Sequence, residues 1–275
     1  MGRGYYFDKD GNEVIFDDSN VVRKRHIIAI LGPNGSGKTT AAKTIKKYVG
    51  KKGMGKMSAR VMPIAESLKY ACMAACEEGG INVTYDTFEK PELKEKPTLR
   101  AHITQPMLEE FHRMSPLLGN PHMLNNTKPA EDMIKRYFET PRDMMIGLGT
   151  DYARRLDKNV WIDNVIEDIY QDEYPDVIII PDLRFENEEK ALRKLAKDNK
   201  DITLTFVLII NDDTYDVSTC GYKPRCENKK NNFKNDIQYL AVINNGTKKE
   251  FKEDVRNLIT DLSMLKVRDD EGEYE

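Results

Sequence analysis

Residues 32–40 read GPNGSGKTT, and their types and spacing suit a grip on polyphosphate. Gly35 and Gly37 lack a Cβ, so backbone N–H groups can converge there on phosphate oxygens that a side chain would exclude. Lys38 is a cation able to reach β- and γ-phosphates, and Thr39 carries a hydroxyl able to ligate Mg²⁺. Gly32 in first place, Gly37 in sixth and Lys38-Thr39 after it satisfy G-x-x-x-x-G-K-[ST]. Asn34, Ser36 and Thr40 complete the stretch expected to touch ATP. The apolar run HIIAIL (26–31) precedes it, and small and basic residues at helical spacing follow. That context, strand then loop then helix, is what a phosphate loop requires, and the helix start near Lys38 adds its positive end. A nucleoside triphosphate is therefore the expected ligand. The loop does not by itself separate a kinase from a motor, a GTPase or a switch.

The next chemically suggestive residues are Asp182 and Arg184, at the end of the run DVIIIPD (176–182). Many motor ATPases follow a strand-end Asp with Glu, which polarises the attacking water; here Leu183 follows. No LSGGQ-like signature and no N-K-x-D guanine-reading motif occurs. At the carboxyl end of a strand beside the phosphate loop, Asp182 and Arg184 suit an anionic acceptor. Arginine grips phosphate bidentately, and the carboxylate can organise Mg²⁺ and its waters. A purely structural alternative has Asp182 capping the next helix and Arg184 paired with Glu188.

These residues need a scaffold. The 275 residues suit one large α/β domain with insertions, or at most two small domains. Apolar runs at 26–31, 58–64, 176–182, 202–210 and 239–245 predict five strands joined by helical connections, hence a doubly wound parallel sheet. The first helix is expected over 38–49. From Pro63 the pattern turns helical, with Ile64, Leu68, Ala71, Cys72 and Ala75 on one face. Residues 80–105 are charged and loop-rich. Thr140-Pro141-Arg142-Asp143 has the form of a helix start, and Trp161, Ile162, Val165, Ile166 and Ile169 form another apolar face. Thr247 and Glu250 spell a capping box for a last helix to about Leu265. Ahead of the sheet, YYF and EVIF around Asp10-Gly11 read as a β-hairpin over 5–16. The expected organisation is an N-terminal extension (1–25), a nucleotide-binding domain (26–265) with a helical acceptor-binding insertion over about 63–170 and a lid over about 211–235, and an acidic tail (266–275).

Bulk composition narrows the partners. Lys and Arg total 43 against 46 Asp and Glu, so the net charge of −3 gives no basic excess that would announce nucleic acid. Of four cysteines, Cys72 and Cys76 share an apolar helical face and read as buried thiols, while Cys220 and Cys226 are too far apart for a zinc pair. A reduced, cytoplasmic chain is the simplest expectation. The first residues are too polar for a signal peptide, and the longest apolar runs fall short of a membrane span.

Several segments together carry a family resemblance. TPRDMMIGLGTDYARRLDKNVW followed by VIIIPDLRFENE resembles the phage-type deoxynucleoside monophosphate kinases, which show T-x-R…L-G-T-[DE]…R…W before a strand ending in D-x-R-F-x-N-E. The phosphate loop, the A-x-x-L-K pattern in AESLKYACMAAC and the closing VINNGTKKEF extend the likeness over 26–265. The resemblance implies a P-loop kinase fold. It also implies transfer of the γ-phosphoryl group of ATP, with Mg²⁺, to a deoxynucleoside monophosphate. It marks Lys69, Arg142, Thr150, Asp151, Arg154, Asp182 and Arg184 as acceptor-site or catalytic candidates, with Trp161 beside them. The family's lid often carries H-x-S-E, whereas this chain has RCEN at 225–228, so Arg225 and Glu227 are the nearest equivalents. Another small-molecule kinase of the dephospho-coenzyme A kinase kind and a non-kinase P-loop NTPase are the alternatives. Neither a membrane nor nucleic acid is an expected partner, and a homodimer is left open.

Overall fold

The computed structural model describes residues 4–7, 13–16, 25–51, 57–115, 128–170, 175–211 and 237–261. Apart from Asn211, the segment expected to be a lid (211–235), with Cys220, Lys223, Arg225, Cys226 and Glu227, lies outside them. So does the acidic tail.

Strands β1 (Gly4–Phe7) and β2 (Glu13–Phe16) pair antiparallel, from Gly4 opposite Phe16 to Phe7 opposite Glu13, which is the expected hairpin. Then β3 (Arg25–Leu31) leads through the Gly-rich loop into α1 (Lys38–Lys51), and β4 is the short strand Ala59–Val61. A long insertion follows. It contains α2 (Ala65–Glu78), α3 (Tyr85–Glu89), α4 (Pro91–Lys94), β5 (Ala101–His102), α5 (Gln105–Arg113), α6 (Lys128–Ile134) and β6 (Tyr137–Phe138). It continues through α7 (Pro141–Ile146), a π-helical segment (Gly147–Ala153), α8 (Arg154–Leu156) and α9 (Val160–Tyr170). The chain returns to the sheet as β7 (Val177–Ile180), α10 (Glu186–Asp198), β8 (Ile202–Ile210), β9 (Ile237–Ile243) and α11 (Lys248–Asp261).

The central sheet has five parallel strands in the order β4-β7-β3-β8-β9. β3 lies at its centre, in register with β8 from Arg25 opposite Ile202 to Leu31 opposite Leu208, and with β7 from His26 opposite Val177 to Ala29 opposite Ile180. Continuous apolar strands form because both sheet faces are covered. Ile28 and Ile30 pack with Ala41, Ile45 and Val49 of α1 and with Phe251, Val255 and Ile259 of α11. Ile27, Ala29 and Leu31 face the opposite way, into a larger core shared with α2, α5, α9 and α10. Burying each such isoleucine or leucine contributes about 1.5–3 kcal/mol.

The insertion differs from an all-helical reading. β5 and β6 form a small antiparallel sheet, with Ala101 opposite Phe138 and His102 opposite Tyr137. The GLGTDYA stretch is π-helical. Its register is set by packing: a Cβ at Gly147 would run into the Phe138 ring, and one at Gly149 into Leu68 of α2. The expected helix starts hold. Thr140 accepts from the Asp143 amide at 3.0 Å while Asp143 accepts from the Thr140 amide at 3.1 Å, and Thr247 and Glu250 make the equivalent pair. Among the described residues, no helix is long and apolar enough to cross a membrane.

Candidate functional site

The sheet topology brings the phosphate-loop motif and Asp182 to one edge. β3 and β7 are parallel neighbours, so the loop after Leu31 and the segment after Ile180 both leave the carboxyl end of the sheet. Open α/β sheets bind ligands at that edge.

The loop is held in shape by contacts that only glycine permits. Gly32 has φ +145°, and a Cβ there would lie 2.6 Å from the Ile209 carbonyl oxygen and 2.7 Å from Ser36 Oγ. Gly37 has φ +106°, and its Cβ would meet Asn244 Nδ2 at 2.8 Å and the Phe251 ring at 3.0 Å. Asn244, just past β9, braces the loop: its side-chain amide donates to the Ser36 carbonyl at 2.7 Å and its backbone N–H to Ile210 O at 2.7 Å. The Lys38 ammonium folds back over the loop and donates to the carbonyls of Gly32 and Pro33, each at 2.6 Å. Among the described residues, Ser36 Oγ is buried without a hydrogen-bond partner, a state that costs stability unless water or a ligand serves the hydroxyl. Thr39, at the start of α1, is exposed.

The segment that follows β7 helps to line a cavity of about 130 Å³. Arg142, Thr150, Arg154, Trp161, Asp182 and Arg184, all singled out from sequence, line it. Its apolar wall comes from Ile64, Leu68, Met145, Ile146 and Phe185, and Lys94 and Glu188 add to the polar side.

Asp182 lines the cavity, and it caps a helix, though not the one that follows it in sequence. Its Oδ1 accepts from the Ile64 amide at 2.8 Å and its Oδ2 from the Ala65 amide at 2.9 Å, so it closes the start of α2. Arg184 does not pair with Glu188 through its side chain. Its backbone N–H donates to Glu188 Oε2 at 2.9 Å, and its exposed guanidinium makes no hydrogen bond or ion pair among the described residues.

Arg154 is the most tightly held cation. Nη1 donates to Glu188 Oε1 at 3.1 Å, Nη2 donates to Asn187 Oδ1 at 2.7 Å, and the guanidinium lies 3.7 Å from the Phe185 ring centroid. Glu188 spends its other oxygen on the amides of Arg184 and Phe185. Burial penalises both charges: it lowers the pKa of Arg154, against the pull of Glu188, and raises that of the Glu188 carboxyl, against the amides and Arg154. Trp161 is buried and donates its indole N–H to the Gly149 carbonyl at 3.1 Å, which fixes the π-helical segment against α9.

Two of the expected residues face elsewhere. Lys69 is buried and paired with Glu89, with its ammonium 5.4 Å from the centroid of the Tyr85 ring. Asp151 is held by Arg136 at 2.6 Å. Neither lines the cavity. Conversely, Lys94 lines it and was not singled out from sequence, because a lysine in a charged, loop-rich stretch carries no pattern of its own. Glu188 closes the D-x-R-F-x-N-E pattern, but sequence reading named it only as an alternative partner for Arg184.

Comparison with protein-family models and with curated proteins finds no match.

Proposed function

We propose that the chain is a phosphotransferase that moves the γ-phosphoryl group of ATP to a deoxynucleoside monophosphate. The observation that carries this reading is the pairing of a glycine-shaped loop with a cation-lined cavity on adjacent strands. Gly32, Asn34, Gly35, Ser36, Gly37, Lys38, Thr39 and Thr40 would cradle the donor phosphates. Arg142, Arg154 and Arg184 line the neighbouring cavity, where an acceptor phosphate would be held. The resemblance of TPRD…LGTD…W and PDLRFENE to the phage-type kinases supports the same assignment.

The chemistry asks little of the protein beyond alignment and charge. An oxygen of the acceptor phosphate forms the new bond to the γ-phosphorus. The bond from that phosphorus to the β,γ-bridging oxygen breaks, and ADP leaves. No general base is needed, since the acceptor phosphate is already ionised. In-line placement and cations around the transferring group supply the rate enhancement. Thr39 and Asp182 offer oxygen donors of the kind Mg²⁺ takes, and each Asp182 oxygen keeps lone-pair capacity beyond its one amide bond. When bound, Mg²⁺ would neutralise phosphate charge. Trp161 and the apolar wall would exclude water from the acceptor side, and Lys223 and Arg225 are the lid cations that the sequence offers.

An acceptor screen tests the reading. With ATP and Mg²⁺, ADP formation should depend on a deoxynucleoside monophosphate and stay near background with dephospho-coenzyme A or DNA. Preference for dephospho-coenzyme A, or hydrolysis without acceptor that DNA stimulates, would assign the chain to one of the other classes.

A further inference from the structure

We propose that Lys94 is a phosphate-binding residue of the cavity and forms with Arg142 and Arg184 a subsite for the acceptor's dianionic phosphate monoester. This rests on the phosphotransferase reading above and names a group that neither motif nor resemblance marked.

Lys94 closes the short helix α4 and lines the cavity wall, half-buried, facing Arg142 and Arg184. The next residue, Glu95, pairs with the Arg142 side chain. That contact ties the end of α4 to α7 and leaves Lys94 on the cavity side. The carboxylates nearby have other partners: Glu89 holds Lys69, Glu95 holds Arg142, Glu188 holds Arg154, and Asp182 holds the start of α2. Lys94 itself makes no hydrogen bond or ion pair among the described residues. Burial lowers its pKa first of all, and Arg142, Lys69 and Arg184 push it further down, with Glu89 alone opposing. A half-buried ammonium with like charges around it and no carboxylate paired to it is unfavourable unless an anion joins them. A phosphate monoester supplies two negative charges and several acceptor oxygens, enough for one lysine and two arginines.

Binding measured by calorimetry on the full chain, without turnover, tests this. The probes are the deoxynucleoside 5′-monophosphates and the matching deoxynucleosides, which lack the phosphate. Wild type should bind at least one monophosphate more tightly than its nucleoside. Lys94→Met and Lys94→Gln should weaken that monophosphate by roughly tenfold or more, while nucleoside binding stays unchanged and Lys94→Arg recovers most of the loss. Equal monophosphate binding by wild type and both neutral variants overturns this inference and leaves the phosphotransferase reading standing. Parallel loss of nucleoside and monophosphate binding also overturns it, since Lys94 would then merely shape the cavity. Wild type that binds none of the monophosphates overturns both readings.

Discussion

Arg154 Nη1 lies 3.1 Å from Glu188 Oε1, with both side chains nearly inaccessible at 11 % and 3 % exposure. The pair joins the end of the π-helical segment to the first turn of α10 and so fixes one wall of the cavity. Removing one partner strands the other charge in a poorly solvated place. Glu188→Ala should therefore lower unfolding stability by about 3–5 kcal/mol in denaturant titration. The loss should exceed that of Arg193→Ala, whose i,i+4 partner Glu189 belongs to one helix. Equal, small losses would show that the pair does not brace the wall.

Asp182→Asn separates the residue's two assignments. Both carboxylate oxygens accept backbone amides at the start of α2, so the amide variant must turn an N–H₂ group toward one of those donors. Stability should fall by about 1–2 kcal/mol whatever the metal does. If Asp182 also serves Mg²⁺, the Mg²⁺ concentration for half-maximal turnover should rise as well. Lost stability with an unchanged Mg²⁺ requirement would leave the residue a helix cap alone.

Much of this architecture could be read from the sequence, for identifiable reasons. β3, β7 and β8 announce themselves because a strand covered on both faces must be apolar throughout. The caps at Thr140 and Thr247 follow local chemistry that tertiary context did not override. The pairing of β5 with β6 could not be read, since two-residue strands carry no periodicity. The π-helical turn at Gly147–Ala153 was equally hidden: it answers to Phe138 and Leu68, residues nine and 81 positions away. Among site residues, Arg142, Thr150, Arg154, Trp161, Asp182 and Arg184 line the cavity. Asp151, from the same dense motif, and Lys69 do not: their pairing with Arg136 and Glu89 depends on tertiary neighbours that motif spacing cannot show. Lys94 belongs to the cavity by fold alone.

His112 should give the protein an acid-sensitive step. It is 1 % exposed, and burial lowers its pKa from 6.5 to about 4, with Glu109 opposing weakly. The unfolded chain therefore binds a proton that the folded one refuses between those values. The contribution is fully present above about pH 6.5 and is lost as pH falls toward 4, up to about 3 kcal/mol. His112→Gln, which can still bond the Tyr152 hydroxyl now 2.5 Å from Nε2, should flatten the stability profile between pH 4 and 6.5 relative to wild type. Parallel profiles would show that other groups carry the acid response.

Gly37→Ala should damage the glycine loop through its protein neighbours. The new methyl would meet Asn244 and Phe251 in a left-handed backbone conformation. Displacing Asn244 would break its bond to the Ser36 carbonyl. A lower melting temperature together with weakened binding of a non-hydrolysable ATP analogue is expected. Gly35→Ala meets no protein atom with its Cβ and should lower the melting temperature less, through backbone strain alone. Identical behaviour of the two variants would contradict the bracing role of Asn244.

The central claim is phosphoryl transfer from the Lys38 loop to an acceptor in the Arg184 cavity. Its most direct measurement uses ATP labelled at the γ-phosphate, with each deoxynucleoside monophosphate and Mg²⁺, followed by separation of the products. Label should appear in a deoxynucleoside diphosphate, in equal amount to the ADP formed. Lys38→Ala should cut the rate by about 3–4 kcal/mol of lost transition-state stabilisation while keeping the fold. Arg184→Ala should raise the monophosphate requirement far more than the ATP requirement. Label released as free phosphate with every monophosphate, or transfer unchanged in Lys38→Ala, would contradict the account.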